Sequence, residues 1–358
     1  MEVNGKPRVA RCEIHGSGCR AARAFPGRVP AGLVYSFPGT TSWREDPDVH
    51  RYDPWRKQFM TATSVTVFGG SGFLGQHIVK RLAAQGACVR VAVRHPQAVV
   101  EAHSDKGRIV AIQADVREER SVAQAIEGAE AVVNAVSLYL ERGDASFEGV
   151  HVQGAVNVAR AAAQARADRL IHISGLGADA SSESAYVRAR AEGESKVREV
   201  FTGATILRPS VLFGPGDAFF TTLASITQVS PVVPLFGNGE VRLQPVFVGD
   251  VAEAVVKALS EPAARGLLYE LGGPRVYSYR ALVELLLGHL QRKRLLVPVP
   301  YFVWRVQTAL LGMLPNPPLT YDQVVLMKRD NVVSAGASSF ADLGISPTAV
   351  ETQLPLYV

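Results

Sequence analysis

Cysteine is scarce in this chain: Cys12, Cys19 and Cys88 are the only three in 358 residues. Three cysteines supply neither a disulfide framework nor a usual zinc site. Cys88 lies in the apolar run "ACVRVAV", where a thiol behaves as inert core, and a reducing compartment fits. The eight histidines are scattered without metal-ligand spacing, so no metal is expected. Long hydrophobic runs are missing as well, and none approaches the roughly 20 apolar residues of a membrane span. Clustered positive charge is the last absence. The formal net charge is +5, yet residues 1–59 carry ten Lys/Arg against six Asp/Glu, leaving 28 against 27 for the remainder. So neutral a body gives nucleic acid no basic face to bind.

Residues 1–59 are rich in Arg, Pro and Gly and show no sustained period of 2 or 3.6. At Met60 the text changes abruptly to "MTATSVTVFGG". One reading is an organelle-targeting presequence with scattered arginines, which would place the protein in the mitochondrial matrix. The other takes Met60 as the true start, with 1–59 a disordered or mis-called extension and the protein cytoplasmic. Glu2, Glu13, Glu45, Asp46 and Asp48, with no amphipathic apolar stripe, favour the second.

From residue 64 short β-branched runs alternate with helical segments. "SVTVFG", "CVRVAV", "RIVAIQAD", "AVVNAVS", "RLIHISGLG" and "GATILRPS" read as strands, and 73–85, 119–127, 148–165 and 185–201 as helices. That alternation predicts βαβ units and a buried parallel sheet. The fold class expected is α/β: a doubly wound parallel Rossmann sheet with a smaller C-terminal α/β lobe. Residues 60–208 form the expected dinucleotide-binding domain, and 209–358 a substrate or partner lobe over the sheet's carboxyl edge. Helices at 250–260 and 278–290 flank the strand-like "GLLYELGG" within that lobe.

"VTVFGGSGFLGQHIVKRL" sets Gly69, Gly72 and Gly75 between the first strand and the first helix, with Phe73 and Leu74 on the same turn. Glycines there let the backbone approach a pyrophosphate seated on the positive helix N-terminus. About 20 residues on, where an NAD site usually places an acid, the second strand ends in "VAVRHP" and offers Arg94. A guanidinium binds a 2′-phosphate that an acid would repel. NADP(H) is therefore expected in preference to NAD(H). Asp115, followed by Val116, ends the third strand, where it can receive the adenine amino group or cap a short turn.

These residues, with "NAVS" at 134–137, Ser174 and Tyr186, resemble in order the extended, atypical branch of the short-chain dehydrogenase/reductase superfamily. "ILRPSVLFGPGDAFFTTLA", "LYELGGPRVYSYRALVELLL" and "LLVPVP" more closely resemble the nucleotide-binding accessory subunits of respiratory complex I (NADH:ubiquinone oxidoreductase) and their bacterial relatives. The resemblance implies a serine at 174 polarising a substrate oxygen and a tyrosine at 186 exchanging its proton. It also implies Pro209 and Ser210 at the nicotinamide end. The family's lysine, one helical turn after the tyrosine, lowers the tyrosine pKa, holds the ribose and relays protons. In "SAYVRARAEGESKV" that position is Arg190. Arginine keeps the charge, so it can still depress the tyrosine pKa and hold ribose hydroxyls, but it cannot release a proton. Lys196, ten residues after Tyr186, lies about 15 Å along the helix, too far to substitute.

The expectation is a weakly or non-catalytic accessory protein of complex I or quinone metabolism, with structural NADPH. The alternatives are an active NADP-dependent oxidoreductase or nucleotide-sugar epimerase/reductase using Ser174 and Tyr186, and an NADPH-binding redox sensor. "YFVWRVQTALLGMLP", 301–315, is apolar over most of its circumference. Core packing is its ordinary explanation; docking on complex I subunits or on the inner face of the respiratory membrane is the functional one.

Overall fold

Seven short strands pair in parallel: the six runs read from the alternation and, beside the last of them, the strand within "GLLYELGG" expected in the C-terminal lobe. The computed structural model describes residues 63–99, 102–103, 107–311 and 319–358, all within the unit Asp48–Val358. The two readings of residues 1–59 lie outside the described residues.

The main sheet comprises β1 (Ser64–Phe68), β2 (Cys88–Val93), β3 (Ala102–His103), β4 (Arg108–Gln113), β5 (Ala131–Asn134), β6 (Arg169–Ile173), β7 (Thr205–Pro209) and β8 (Leu268–Leu271). Their order is β8-β7-β6-β5-β1-β2-β4-β3. Only the edge pair β3–β4 is antiparallel. Parallel strands joined by crossovers need helices on both faces, and the alternation of side chains assigns them. Val65, Val67, Val89 and Val91 face α1 (Phe73–Ala84) and α6 (Val248–Ser260). Phe68, Val132, Leu170 and Ile206 face α2 (Glu119–Ile126), α3 (Gly154–Gln164) and α4 (Ala185–Val200). Ile78, Leu82, Val122 and Ile126 are fully buried, each such side chain stabilising by about 1.5–3 kcal/mol.

The chain beyond Pro209 adds α5 (Phe219–Val229), α6, β8 and α7 (Tyr279–His289). Phe213, Phe220, Leu235, Leu282 and Leu286 form a further buried cluster there. Next come α8 (Tyr301–Leu311) and α9 (Tyr321–Leu326), the latter opened by a Thr320/Gln323 capping box.

Two local expectations change. The helix foreseen over 148–165 begins as a π turn, Glu148–Gln153, before α3. The helix foreseen over 250–260 starts two residues earlier, at Val248, so Asp250 lies in its first turn, and its carboxylate accepts from Thr348 N and Oγ1 at 2.6 and 3.0 Å.

α8 answers the packing question in halves. Trp304 is 8% exposed and stacks on Phe236 at 4.5 Å, as core packing requires. Phe302, Val306 and Leu310 are 68%, 55% and 71% exposed on a single stripe. The side chain of Leu311 is outside the described residues. Among the described residues no helix is long and apolar enough to cross a membrane.

Candidate functional site

β1 has β2 on one side and β5 on the other, so the strand order reverses at its carboxyl end and leaves a crevice there. Gly69 turns the chain into α1 with φ +75°, a left-handed value glycine takes without steric cost. A Cβ on Gly69 would stand 2.7 Å from Ala135 O, and one on Gly75 only 2.1 Å from Gly69 O. Loop and helix lie closer than any side chain permits. The N-cap, Gly72, brings no side-chain acceptor to the first turn of α1. The amides of Phe73, Leu74 and Gly75 are thus left for an anion at the positive end of the helix. A glycine cradle at a switch point fits a dinucleotide pyrophosphate.

Beside β2 and β4 lie the residues expected at the adenosine half. Arg94 is exposed just past β2, near enough for its charge to help lower the Asp115 carboxyl. The first cause of that lowering is Arg117, whose guanidinium meets both carboxylate oxygens at 2.7–3.2 Å. Asp115 Oδ1 also accepts from Arg117 N at 3.0 Å, so its turn-capping contact is present. Val116 is buried, and its carbonyl accepts from Asn157 Nδ2 at 2.9 Å.

The other half of the crevice lies over β5, β6 and β7. Tyr186 and Arg190 sit one turn apart on the buried face of α4. Ser184 caps the helix by accepting from Val187 N at 3.2 Å, and donates its own hydroxyl to Asp322 at 2.5 Å. Arg190 Nη2 donates to Ser137 Oγ at 2.8 Å, while its guanidinium carbon lies 5.1 Å from the Tyr186 ring centre. Nη1 occupies room that a Cβ on Gly175 would need, 2.9 Å away. Arg190 Nε and Ser174 Oγ are both buried with no partner in the protein. Buried polar groups are ordinarily hydrogen-bonded, so two orphans in this half of the crevice suit a bound polar ligand. Lys196 is turned away and pairs with Glu192 at 3.8 Å.

Packing decides the protonation states. Burial pushes the Tyr186 phenol above its usual value of about 10, and the opposing pull of Arg190 does not offset it. Depression of that pKa by the guanidinium, which its charge alone would permit, is therefore outweighed. Burial first, and Arg190 second, lower His151 to about 4 and His172 to about 3. Both imidazoles are neutral near pH 7. The π turn carries His151 to Tyr186, ring centres 5.4 Å apart and nearly perpendicular, with Phe147 on the same ring at 5.6 Å. α4 approaches that turn through Gly193, where a Cβ would meet His151 O at 2.0 Å.

Ser210 Oγ donates to Asn331 Oδ1 at 2.6 Å, and Asn331 Nδ2 donates to Leu176 O at 3.1 Å. Pro209 ends β7 beside Leu271. Arg329 pairs with Asp179 at 2.7 Å, and Leu326 packs on the Tyr186 cluster. Residues 320–331 thus pack against this half of the crevice. Sequence reasoning missed His151, Gly175 and Asn331, and gave Ser137 only as the end of "NAVS", without a role. Ser137 was within reach, since it ends a strand-like run; Asn331, 121 residues from Ser210, gave no local signal.

Comparison with known proteins agrees with the fold. The profile of the NAD dependent epimerase/dehydratase family matches residues 65–272. The chain is 32% identical over 291 residues to the mitochondrial NADH-ubiquinone oxidoreductase 40 kDa subunit of Neurospora crassa, covering 80% of this chain and 76% of that protein. It is 31% identical over 340 residues to the mitochondrial NADH dehydrogenase (ubiquinone) 1 alpha subcomplex subunit 9 of Mus musculus, covering 93% and 90%. In fold it resembles an NADPH-dependent quinone oxidoreductase of Escherichia coli solved with NADPH. That likeness has a TM-score of 0.63 at 20% identity and covers 80% of this chain and 97% of that one. With its Rossmann sheet and glycine cradle, the chain belongs to the NAD dependent epimerase/dehydratase family, whose fold binds a nicotinamide dinucleotide.

Proposed function

We propose that this protein is an NADP(H)-binding accessory factor of respiratory complex I with little or no turnover, whose nucleotide stabilises the fold by mass action. Gly69, Gly72, Phe73, Leu74 and Gly75 hold the pyrophosphate, Arg94 the 2′-phosphate, and Asp115 and Val116 the adenine. Ser174, Tyr186, Arg190, Pro209 and Ser210 border the nicotinamide half. A bound nicotinamide supplies hydride chemistry, and the protein's part would be proton exchange at the Tyr186 oxygen.

The observation that carries the reading is the Tyr186–Arg190 pair. Tyr186 is 8% exposed and its phenol is held above the ordinary value. A general base works best with a pKa near the operating pH. Arg190 cannot pass a proton onward as an amine can. Binding survives such a pair better than turnover does. Relatives named as complex I subunits support the partner, and the exposed stripe of α8 supplies an apolar surface for docking on that complex at the inner face of its membrane.

Native purification tests the proposal. The expected fraction contains NADPH that carbonyl and quinone substrates do not oxidise, together with complex I subunits. Rapid turnover by the native protein, little changed in Arg190→Lys, would refute it.

A further inference from the structure

α8 turns apolar residues outward. Its exposed side chains are Phe302, Val303, Arg305, Val306, Ala309 and Leu310, a single charge among apolar neighbours. Phe302, Val306 and Leu310 recur at every fourth position and form one row along the helix. The opposite side is occupied by packing: Trp304 stacks on Phe236, and Thr308 is buried. The eleven residues of α8 rise about 16 Å, roughly half the depth of a bilayer's hydrocarbon. A helix of that length can lie in the interface plane but cannot cross it.

The charges around this face have one sign. From Leu285 to Tyr321 the chain contains no Asp or Glu, while Arg292, Lys293, Arg294 and Arg305 fall within the stretch. Arg292 and Arg294 hold carbonyls at the end of α5. Arg305 is exposed and has no ion pair among the described residues; its guanidinium carbon lies 5.9 Å from the ring centre of the exposed Tyr321. Tyr301 donates its hydroxyl to the carbonyl of Met327, which brings the exposed Lys328 to the end of α8 that carries Phe302. The neighbouring acids are engaged elsewhere: Asp322 accepts from Ser184, Asp330 accepts from Arg242, and Asp179 pairs with Arg329. An apolar row edged by two cations and a tyrosine, with no free acid, complements an anionic bilayer. The row enters the acyl boundary, the cations meet headgroup phosphates, and the phenol sits at their level.

We infer that α8 is a bilayer-binding element that seats the protein directly on an anionic lipid surface, with Phe302, Val306 and Leu310 inserted and Arg305 and Lys328 on the headgroups. The inference rests on the docking surface of the reading above and assigns its contact to lipid rather than to protein. Each cation contributes about fivefold to partitioning at an anionic surface, and the two together about tenfold or more. Salt screens that contribution within a Debye length. The apolar row adds attraction that does not depend on lipid charge.

The test is flotation of the full chain with vesicles of phosphatidylcholine, alone or mixed two to one with phosphatidylglycerol. Wild-type protein is expected to bind the mixed vesicles at least about tenfold more strongly than the neutral ones, and to be released from them as salt rises. Serine at Phe302, Val306 and Leu310 together should abolish flotation on both. Arg305→Gln with Lys328→Gln should remove the preference for anionic lipid and keep the weaker neutral binding. Leu310→Ser alone, with an expected loss of about fivefold or more, serves if the triple variant does not fold. A wild type that fails to float, or flotation undiminished in the serine variants, would overturn the inference. Complex I subunits co-purifying with a protein that does not float would leave the accessory-factor reading standing without it. Flotation in the absence of those subunits would support lipid binding and count against that reading.

Discussion

Consider alanine at Gly193. In an isolated helix the change would add about 1 kcal/mol of stability, because alanine is the better helix former. In this protein the added Cβ would stand 2.0 Å from His151 O, where ordinary contact begins near 3.4 Å. The obstacle is backbone and cannot rotate aside, so α4 must move by more than about 1 Å from the π turn. Overpacking of this kind costs about 1–3 kcal/mol, and a backbone clash belongs at the upper end, so the net loss is about 2 kcal/mol. That corresponds to a fall in Tm of about 5 °C. Gly288, also helical, has no atom within 4 Å of its would-be Cβ. Gly288→Ala should therefore gain about 0.5 kcal/mol and raise Tm by one or two degrees, roughly. Thermal unfolding followed by circular dichroism at one scan rate compares both with the wild type. The reasoning is refuted if Gly193→Ala melts at or above the wild-type temperature. Movement of α4 also displaces Tyr186 and Arg190, so the same variant should weaken dinucleotide binding, whereas Gly288→Ala should not.

Three further outcomes are expected. Arg94→Asp should weaken NADPH by about tenfold or more while sparing NADH, since a bidentate phosphate contact gives way to repulsion; unchanged NADPH affinity in a titration would remove Arg94 from the site. Stability should fall as pH drops from about 6.5 towards 4, because His151 titrates near 6.5 when unfolded but near 4 when folded, so the unfolded chain takes up the proton first. The loss is on the order of 3 kcal/mol, and denaturant melts of His151→Gln across that range should show a shallower fall than the wild type. Serine at Phe302, Val306 and Leu310 together should leave Tm nearly unchanged but reduce co-purification with complex I subunits; equal recovery would acquit the stripe.

Much of the fold was legible because a parallel sheet writes itself locally. Most of its strands are short β-branched runs, the connecting helices repeat their apolar positions at 3.6, and the glycine loop needs positions 69, 72 and 75 in fixed order. The identity of Arg190 was equally plain from its place one turn after Tyr186. What the string could not disclose was how that pair behaves. Guanidinium near phenol suggests a lowered pKa, but the packing of Phe147, His151 and Tyr139 around Tyr186 strips away water and reverses the sign.

The same division runs through the rest of the site. Local pattern determined which residues reach the carboxyl edge of the sheet, because strand ends and helix starts are short-range properties of the chain. Tertiary structure alone decided what meets them there. Asn331 comes from 121 residues away to take the hydroxyl of Ser210, and Asp322 from 138 residues away to take that of Ser184. It also decided which carboxylates serve Arg208 and leave Arg190 with none. Burial and pairing are sums over neighbours in space, and only the folded chain fixes who those neighbours are.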